Sequence, residues 1–282
     1  MLTGKCPFCD GNAKKIHAAC PQPDIDMLFC RTCRLAFQNP FVDSARLHDR
    51  EYFASWGDEA AVEEMKRIDF QAKLNLLEKH QQLPGKNLLD IGAAQGHFMA
   101  VARESGWSVT GIEMSTAGLG SAPDDPDIVR ADFLKHDFSG KTFSAVTSFS
   151  VIEHVSDPRA FIGKVLSLLE PQGIWLVMTP DYESLGRRLL GRRWPHFNPL
   201  HTVIFSSSFF ENISSGFSIE CLRVSRAENS YFLSYLLGQL AFNGGLFSTR
   251  AAKLIRMILP GFILKKRIRL AGGNLLAVLR KS

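Results

Sequence analysis

No acidic residue follows Glu228, although the chain holds 28 Asp and Glu in all. The acid-free stretch carries nine cations: Arg250, Lys253, Arg256, Lys265, Lys266, Arg267, Arg269, Arg280 and Lys281. A net charge of +5 therefore joins a mildly acidic body to a strongly basic tail. Such a tail suits an anionic surface, either membrane or nucleic acid. No apolar run follows Met1-Leu-Thr-Gly-Lys5, which leads straight into Cys6, so no cleavable leader is expected. That predicts a cytoplasmic, reducing setting, where paired cysteines serve as metal ligands rather than disulfides. No stretch reads as a spanning helix: Asn229–Thr249 is uncharged but is broken by Gly238, Gln239, Asn243 and Gly244-Gly245. Internal repeats and low-complexity segments are absent. So is a Gly-x-Gly-x-x-Gly loop, which excludes the usual dinucleotide cradle.

What is present begins with 282 residues and a 45% hydrophobic share, enough for one or two domains with ample core. Leu88-Leu-Asp-Ile-Gly-Ala-Ala-Gln-Gly-His-Phe98 reads as a buried strand, a glycine-punctuated turn and the start of a helix over 97–105 that stops at Gly106. Gly111-Ile-Glu-Met-Ser115 reads as a second strand ending in an acid. Asp90 and Glu113 stand 23 positions apart, close to the ~20 residues between a nucleotide loop and its ribose acid. Gly92 and Gly96 let a ligand lie against the backbone, and Glu113 can accept two hydrogen bonds from a ribose diol. A ribose acid without a pyrophosphate cradle points to a nucleoside ligand that lacks phosphates.

On these residues the chain resembles the class I S-adenosylmethionine-dependent methyltransferases. Asp132-Phe133 matches the segment that borders the adenine in that family. Ser148-Phe-Ser-Val-Ile-Glu-His-Val-Ser-Asp-Pro158 is similar to the fourth-strand motif of the small-molecule branch, which includes the ubiquinone-biosynthesis O-methyltransferases. Gly173-Ile-Trp-Leu-Val-Met-Thr-Pro180 matches the fifth strand. Ala93-Ala94 departs from the family's Cys or Gly followed by Gly, but both residues are small. The resemblance implies a Rossmann-like, doubly wound α/β fold, with a seven-stranded sheet whose last strand, Gly273–Arg280, is antiparallel. It also implies S-adenosylmethionine as cofactor, with Asp90, Gly92, Ala94, Gly96, Glu113, Met114, Asp132, Phe133 and Phe149 around it.

Cys6-Pro-Phe-Cys9 and Cys30-Arg-Thr-Cys33 are two Cys-x-x-Cys knuckles with 20 residues between them. That spacing suits a closed, tetrahedral, structural Zn2+ site. A segment of fewer than ~40 residues builds no sufficient core, so metal binding would supply its folding free energy. Cys20 reads as a loop thiol and Cys221 as a residue of a strand over 217–224. Residues 1–40 hold five cations and three acids, a weak balance for nucleic acid.

The expected organisation is a zinc ribbon at 1–42, a helical linker over the cofactor at 43–83, a methyltransferase core at 84–227, a basic amphipathic insertion at 228–271 and the final core strand at 272–282. The linker carries Tyr52, Phe53 and Trp56. A helix over 59–80 should bury Val62, Met65, Ile68, Ala72 and Leu76 in one row, extended by Phe70, Leu74 and Leu77. The insertion reads as a peripheral membrane contact at the inner face, a lid or dimer element, or least favourably a nucleic-acid contact.

Methyl transfer to a hydroxyl requires alignment and a base. Glu153-His154 and His201 are the candidates, because an imidazole with an ordinary pKa near ~6.5 suits deprotonating a phenol or assisting an alcohol. In the resembling enzymes the Glu-His pair has been linked to a divalent metal. Their further acidic partner is Ser150 here, which argues against metal assistance. The expected activity is O-methylation of a small-molecule, glycan or lipid-linked acceptor. Alternatives are an RNA methyltransferase with an amino-terminal zinc finger, and a non-catalytic zinc-ribbon adaptor.

Overall fold

The computed structural model describes residues 4–16, 25–40, 59–115, 125–232, 259–264 and 267–282. Cys20, the linker aromatics Tyr52, Phe53 and Trp56, and most of the basic insertion lie outside the described residues. The central sheet uses β4 (Asn87–Ile91), β5 (Ser108–Glu113), β6 (Ile128–Arg130), β7 (Phe143–Phe149), β8 (Leu169–Pro180), β10 (Ile219–Phe232) and β11 (Arg267–Lys281). Its order is β10-β11-β8-β7-β4-β5-β6. The five strands from β4 to β8 pair in parallel, while β11 is antiparallel to both β8 and β10. This is the seven-stranded sheet with an antiparallel last strand that the sequence predicts.

Alternation along the strands divides the core into two layers. Leu89, Val146, Trp175, Val177, Leu275, Ala277 and Leu279 face one side. There they meet Phe161, Ile162 and Val165 of α3 (Pro158–Leu168). Leu88, Ala145, Ile174, Leu176 and Val278 face the other side. They meet Leu74 and Leu77 of α1 (Glu59–His80) and Phe98, Met99 and Ala102 of α2 (His97–Glu104). Helix α3 starts where Asp157 accepts a hydrogen bond from the Ala160 N–H at 2.9 Å, with Pro158 in the first turn. Helix α2 ends before Gly106, whose φ of +83° suits a residue without a Cβ.

Two expectations shift. In α1 the buried residues include Met65, Lys73, Leu74 and Leu77, whereas Ala72 is exposed. The apolar row is too diffuse to fix the buried face, because α1 contacts both α2 and β10 and so covers two surfaces. The last two strands also run past their expected limits. They pair out to Phe232↔Arg267, whereas β11 pairs with β8 only from Asn274, opposite Pro180. The β10–β11 hairpin therefore overhangs the carboxyl edge of the sheet and begins the insertion as a paired stem.

A second, smaller sheet joins the amino-terminal segment to a strand from the middle of the main domain. Strands β1 (Lys14–Ile16), β2 (Asp26–Cys30) and β3 (Leu35–Asn39) come from the cysteine-bearing segment. Strand β9 (Val203–Ile204) comes from the chain beyond β8. Their order is β1-β2-β3-β9. Phe8 of the first knuckle packs on Phe209 at 4.9 Å and Phe205 at 6.1 Å, and Arg159 of α3 donates to the Phe8 carbonyl at 2.7 Å. The ribbon thus shares a sheet and a hydrophobic cluster with the main domain.

Candidate active site

The first half of the site forms where β4 ends. The Gly92 and Ala93 N–H groups donate to the Ile112 carbonyl at 2.8 and 3.2 Å, tying the turn to β5. Gly92 has φ +75°, and a Cβ there would lie 2.4 Å from Val151 Cγ2. Only glycine fits without a shift. Ala94 and Gly96 are also left-handed, with φ of 46° and 74°. The two oxygens of Glu113 accept from the Ala94 N–H at 3.0 Å and the Ser115 N–H at 2.7 Å. The backbone thereby fixes the carboxylate at the tip of β5 while lone pairs remain for a ligand. Asp90 is buried, and the Thr147 hydroxyl donates to it at 2.7 Å. Burial pushes its carboxyl up to about 7, which the Thr147 hydrogen bond opposes and nearby Glu113 assists.

The remaining predicted residues ring this turn less uniformly. Met114 is 54% exposed. Phe149 packs on Phe98 at 5.0 Å and on Phe70 of α1 at 5.9 Å. Asp132 accepts from the Leu134 N–H at 2.9 Å and pairs with Lys135 at 3.2 Å. Phe133 is a core residue whose ring lies 5.0 Å from Phe161, so any adenine contact at 132–133 falls to Asp132 and the main chain.

The second half begins at Val151, the residue that meets Gly92, and gathers distant segments. Glu153, His154 and His201 each offer a ligand atom, and these atoms lie within 4.8 Å of one another. The two imidazoles, 154 and 201, stand 5.0 Å apart at 62°. His154 Nδ1 lies 2.8 Å from the Leu200 carbonyl and His201 Nδ1 2.9 Å from the His196 carbonyl. A carbonyl only accepts, so the neutral His154 ring carries its proton on Nδ1 and its lone pair on Nε2, whereas His201 Nδ1 also lies 3.3 Å from the Asn198 Nδ2 amide. Glu153 is 1% exposed. Burial pushes its carboxyl up to about 8, opposed in part by hydrogen bonds, including the Thr179 hydroxyl at 3.0 Å. This group can accept and relay a proton, or it can hold a divalent cation between two imidazoles and one carboxylate.

Four supporting residues are not among the sequence candidates for the site. Thr202 donates to the Glu153 and Val155 carbonyls at 3.0 and 2.8 Å, fastening the two histidine segments together. Asn198 Oδ1 accepts from the Leu200 and His201 N–H groups at 2.9 and 3.2 Å. Asn198-Pro199 is the one local signal, since Asn before Pro favours a turn. Thr179 and Gln38 are the others. Between β8 and Trp194, Arg187 stacks on Tyr182 at 4.1 Å, while Arg188, Arg192 and Arg193 are exposed.

The four cysteines of the two knuckles also converge within 4.8 Å. Cys9 Sγ and Cys30 Sγ stand 3.7 Å apart. That separation matches two sulfurs each ~2.3 Å from one tetrahedral ion. The Phe8 and Cys33 N–H groups point at Cys6 Sγ and Cys30 Sγ at 3.4 Å each, as donors to thiolates would. Without a cation, burial pushes the Cys6 thiol up to about 12. The donor set and its geometry therefore fit zinc. Among the described residues, no helix is long and apolar enough to cross a membrane.

Comparison with known proteins bears on the family and the fold. The family model for a methyltransferase domain matches residues 46–217, more than half of the chain. A ubiquinone biosynthesis O-methyltransferase of Pseudomonas aeruginosa is 31% identical over 144 residues, covering 47% of this chain and 61% of that relative. One from Burkholderia thailandensis is 29% identical over 127 residues, covering 42% and 54%. The chain thus spans little more than half the length of these curated relatives. The solved plantazolicin methyltransferase BpumL in complex with SAH shares the fold, with a TM-score of 0.51 at 14% identity over 85% of this chain and 94% of that one. The chain belongs to the methyltransferase-domain family.

Proposed function

We propose that the chain methylates an oxygen of a small-molecule, glycan or lipid-linked acceptor. The observation that carries this reading is the meeting of Glu153, His154 and His201 next to the glycine turn. Bound S-adenosylmethionine would supply an electrophilic methyl group on sulfur. Glu113 would hold the ribose hydroxyls, and Gly92, Ala94 and Gly96 would admit the ligand to the backbone. Asp90, Met114, Phe149, Asp132 and the main chain of Phe133 would complete its surroundings. His201 or His154 would take the acceptor hydroxyl proton on its imidazole, and Thr179 and Thr202 would hold Glu153 and the two loops in register. Cys6, Cys9, Cys30 and Cys33 would hold a structural Zn2+.

A second reading assigns a divalent cation to Glu153, His154 and His201. The 4.8 Å grouping favours it, because His201 stands in for the acid that Ser150 replaces. Two metals per chain, one of them lost in His154→Ala with His201→Ala, would support it. A count of one would leave the imidazoles as bases.

A lipid-linked acceptor draws support from the surface beside the site. Helix α4 (Leu185–Leu190) exposes Leu185, Leu189 and Leu190 at 52%, 83% and 50%, next to exposed Arg188, Arg192 and Arg193. Apolar and cationic side chains on one surface suit an anionic membrane face. The overhanging hairpin leads into the basic insertion at the same edge. Contact at the inner membrane face would bring such an acceptor to the site.

The test is methyl transfer from labelled S-adenosylmethionine into a lysate lacking this protein, with RNA, protein, lipid-and-glycan and small-molecule fractions counted separately. Label in lipid, glycan or small molecules is expected. Label in RNA would overturn the reading in favour of an RNA methyltransferase. Cofactor binding without label in any fraction would favour an adaptor.

A further inference from the structure

We propose that Gln38, on the ribbon strand β3, is a positioning residue for His201, so that the ribbon shapes the acceptor half of the site and leaves the cofactor half alone. The inference rests on the reading of His201 as an acceptor-side base or ligand. Gln38 is fully buried, and its Nε2 donates to the carbonyls of Asn198 at 3.0 Å and Pro199 at 3.2 Å. Its backbone N–H donates to the Thr202 carbonyl at 2.9 Å. Just beyond, Ala36 and Phe37 pair with Ile204 and Val203. One residue and its strand thus bracket the whole turn that carries His201, from residue 198 to residue 204.

A buried amide is a poor choice for packing alone. Among the described residues Gln38 Oε1 has no hydrogen-bond partner, and an unsatisfied buried acceptor is destabilising. An apolar side chain of similar length would avoid that cost. What such a side chain lacks is the pair of donors aimed at the 198–199 carbonyls, and those donors fix the turn that orients His201. Strand β3 is anchored in turn by β2, which ends at Cys30, and by the turn holding Cys33. The cofactor turn belongs to other elements: Ala93, Phe98 and Met99 pack in the layer on the opposite side of the sheet from Phe8, Leu28 and Phe37.

Three measurements on the full-length protein test this: histidine 15N NMR of His201, S-adenosylhomocysteine affinity by calorimetry, and kcat and KM for methyl transfer to whichever lysate fraction accepts label. Gln38→Met keeps the bulk and removes the donors. It should move the His201 ring resonances and lower kcat roughly tenfold or more. The S-adenosylhomocysteine Kd should stay within about twofold, as for independent sites. Gln38→Asn keeps the amide but withdraws it by one methylene, and should give the same signature if Gln38→Met fails to fold. Arg159→Met is the control: it cuts a different ribbon tie, at Phe8, and should leave the His201 resonances in place. Unmoved His201 resonances in both Gln38 variants would overturn the proposal. So would equal shifts in Arg159→Met, or a matching loss of S-adenosylhomocysteine affinity. The resonances need no acceptor, so a failed methyl-transfer reading is distinguishable from a failed positioning role.

Discussion

The two halves of the site are built by opposite strategies. The core of the proposed cofactor half comes from neighbouring sequence: one strand, one turn, and the next strand, with Glu113 reaching back 19 residues to the Ala94 N–H. The acceptor half comes from four distant places. His154 is tied to Leu200 across 46 residues, Thr202 to Glu153 across 49, and Gln38 to Asn198 across 160. Local assembly gives a fixed binding turn that many acceptors could share. Long-range assembly leaves the acceptor wall open to change through its supporting segments, including the ribbon.

The largest expected effect separates the halves from the acceptor side. His154→Ala combined with His201→Ala should cut methyl transfer by about 10²–10⁴-fold while S-adenosylhomocysteine still binds. Full turnover in that variant would remove both residues from the chemistry. From the cofactor side, Glu113→Ala should weaken S-adenosylhomocysteine about 10–100-fold, since it deletes charge-assisted hydrogen bonds. Unchanged affinity by calorimetry would sink the ribose assignment. Gly92→Ala joins the halves by a clash with Val151, at 2.4 Å and a φ of +75°. It should cost about 1–3 kcal/mol in urea unfolding, and a neutral result would mean that Val151 yields freely.

The smallest effect is the cofactor half's share of a pH dependence to which the buried Glu153 carboxyl, pushed up to about 8, also contributes. In the folded protein Asp90 keeps its proton up to about pH 7, whereas in the unfolded chain it titrates near its ordinary value of 3.8. Wild-type stability without cofactor should therefore fall as pH climbs between those values. Asp90→Asn should match wild type near pH 4 and exceed it by roughly 1 kcal/mol or more above pH 7. Equal stability of the two proteins at pH 8 would contradict a proton-holding Asp90.

The same contrast explains what the sequence made legible. The strands on either side of the glycine turn, the turn itself and Glu113 are local patterns, and each lies where its pattern predicts. The cysteine quartet is legible because two knuckles need only one chain reversal to meet. His154 and His201 were recognisable singly, but their meeting required Thr202, Thr179 and Gln38. Those residues act through tertiary hydrogen bonds and leave no periodicity. The buried face of α1 was obscured because that helix covers two surfaces. The β10–β11 stem was hidden because Asn229–Phe232 and Arg267–Leu270 read as the ends of an insertion until their pairing is seen.

The most direct test of this two-part account is hydrogen–deuterium exchange of the whole protein with and without S-adenosylhomocysteine. The account predicts slowed exchange across 88–98 and 111–115, with 198–204 and the 35–39 strand unchanged. Protection of 198–204 by the cofactor product alone, or no protection at 88–98, would contradict it.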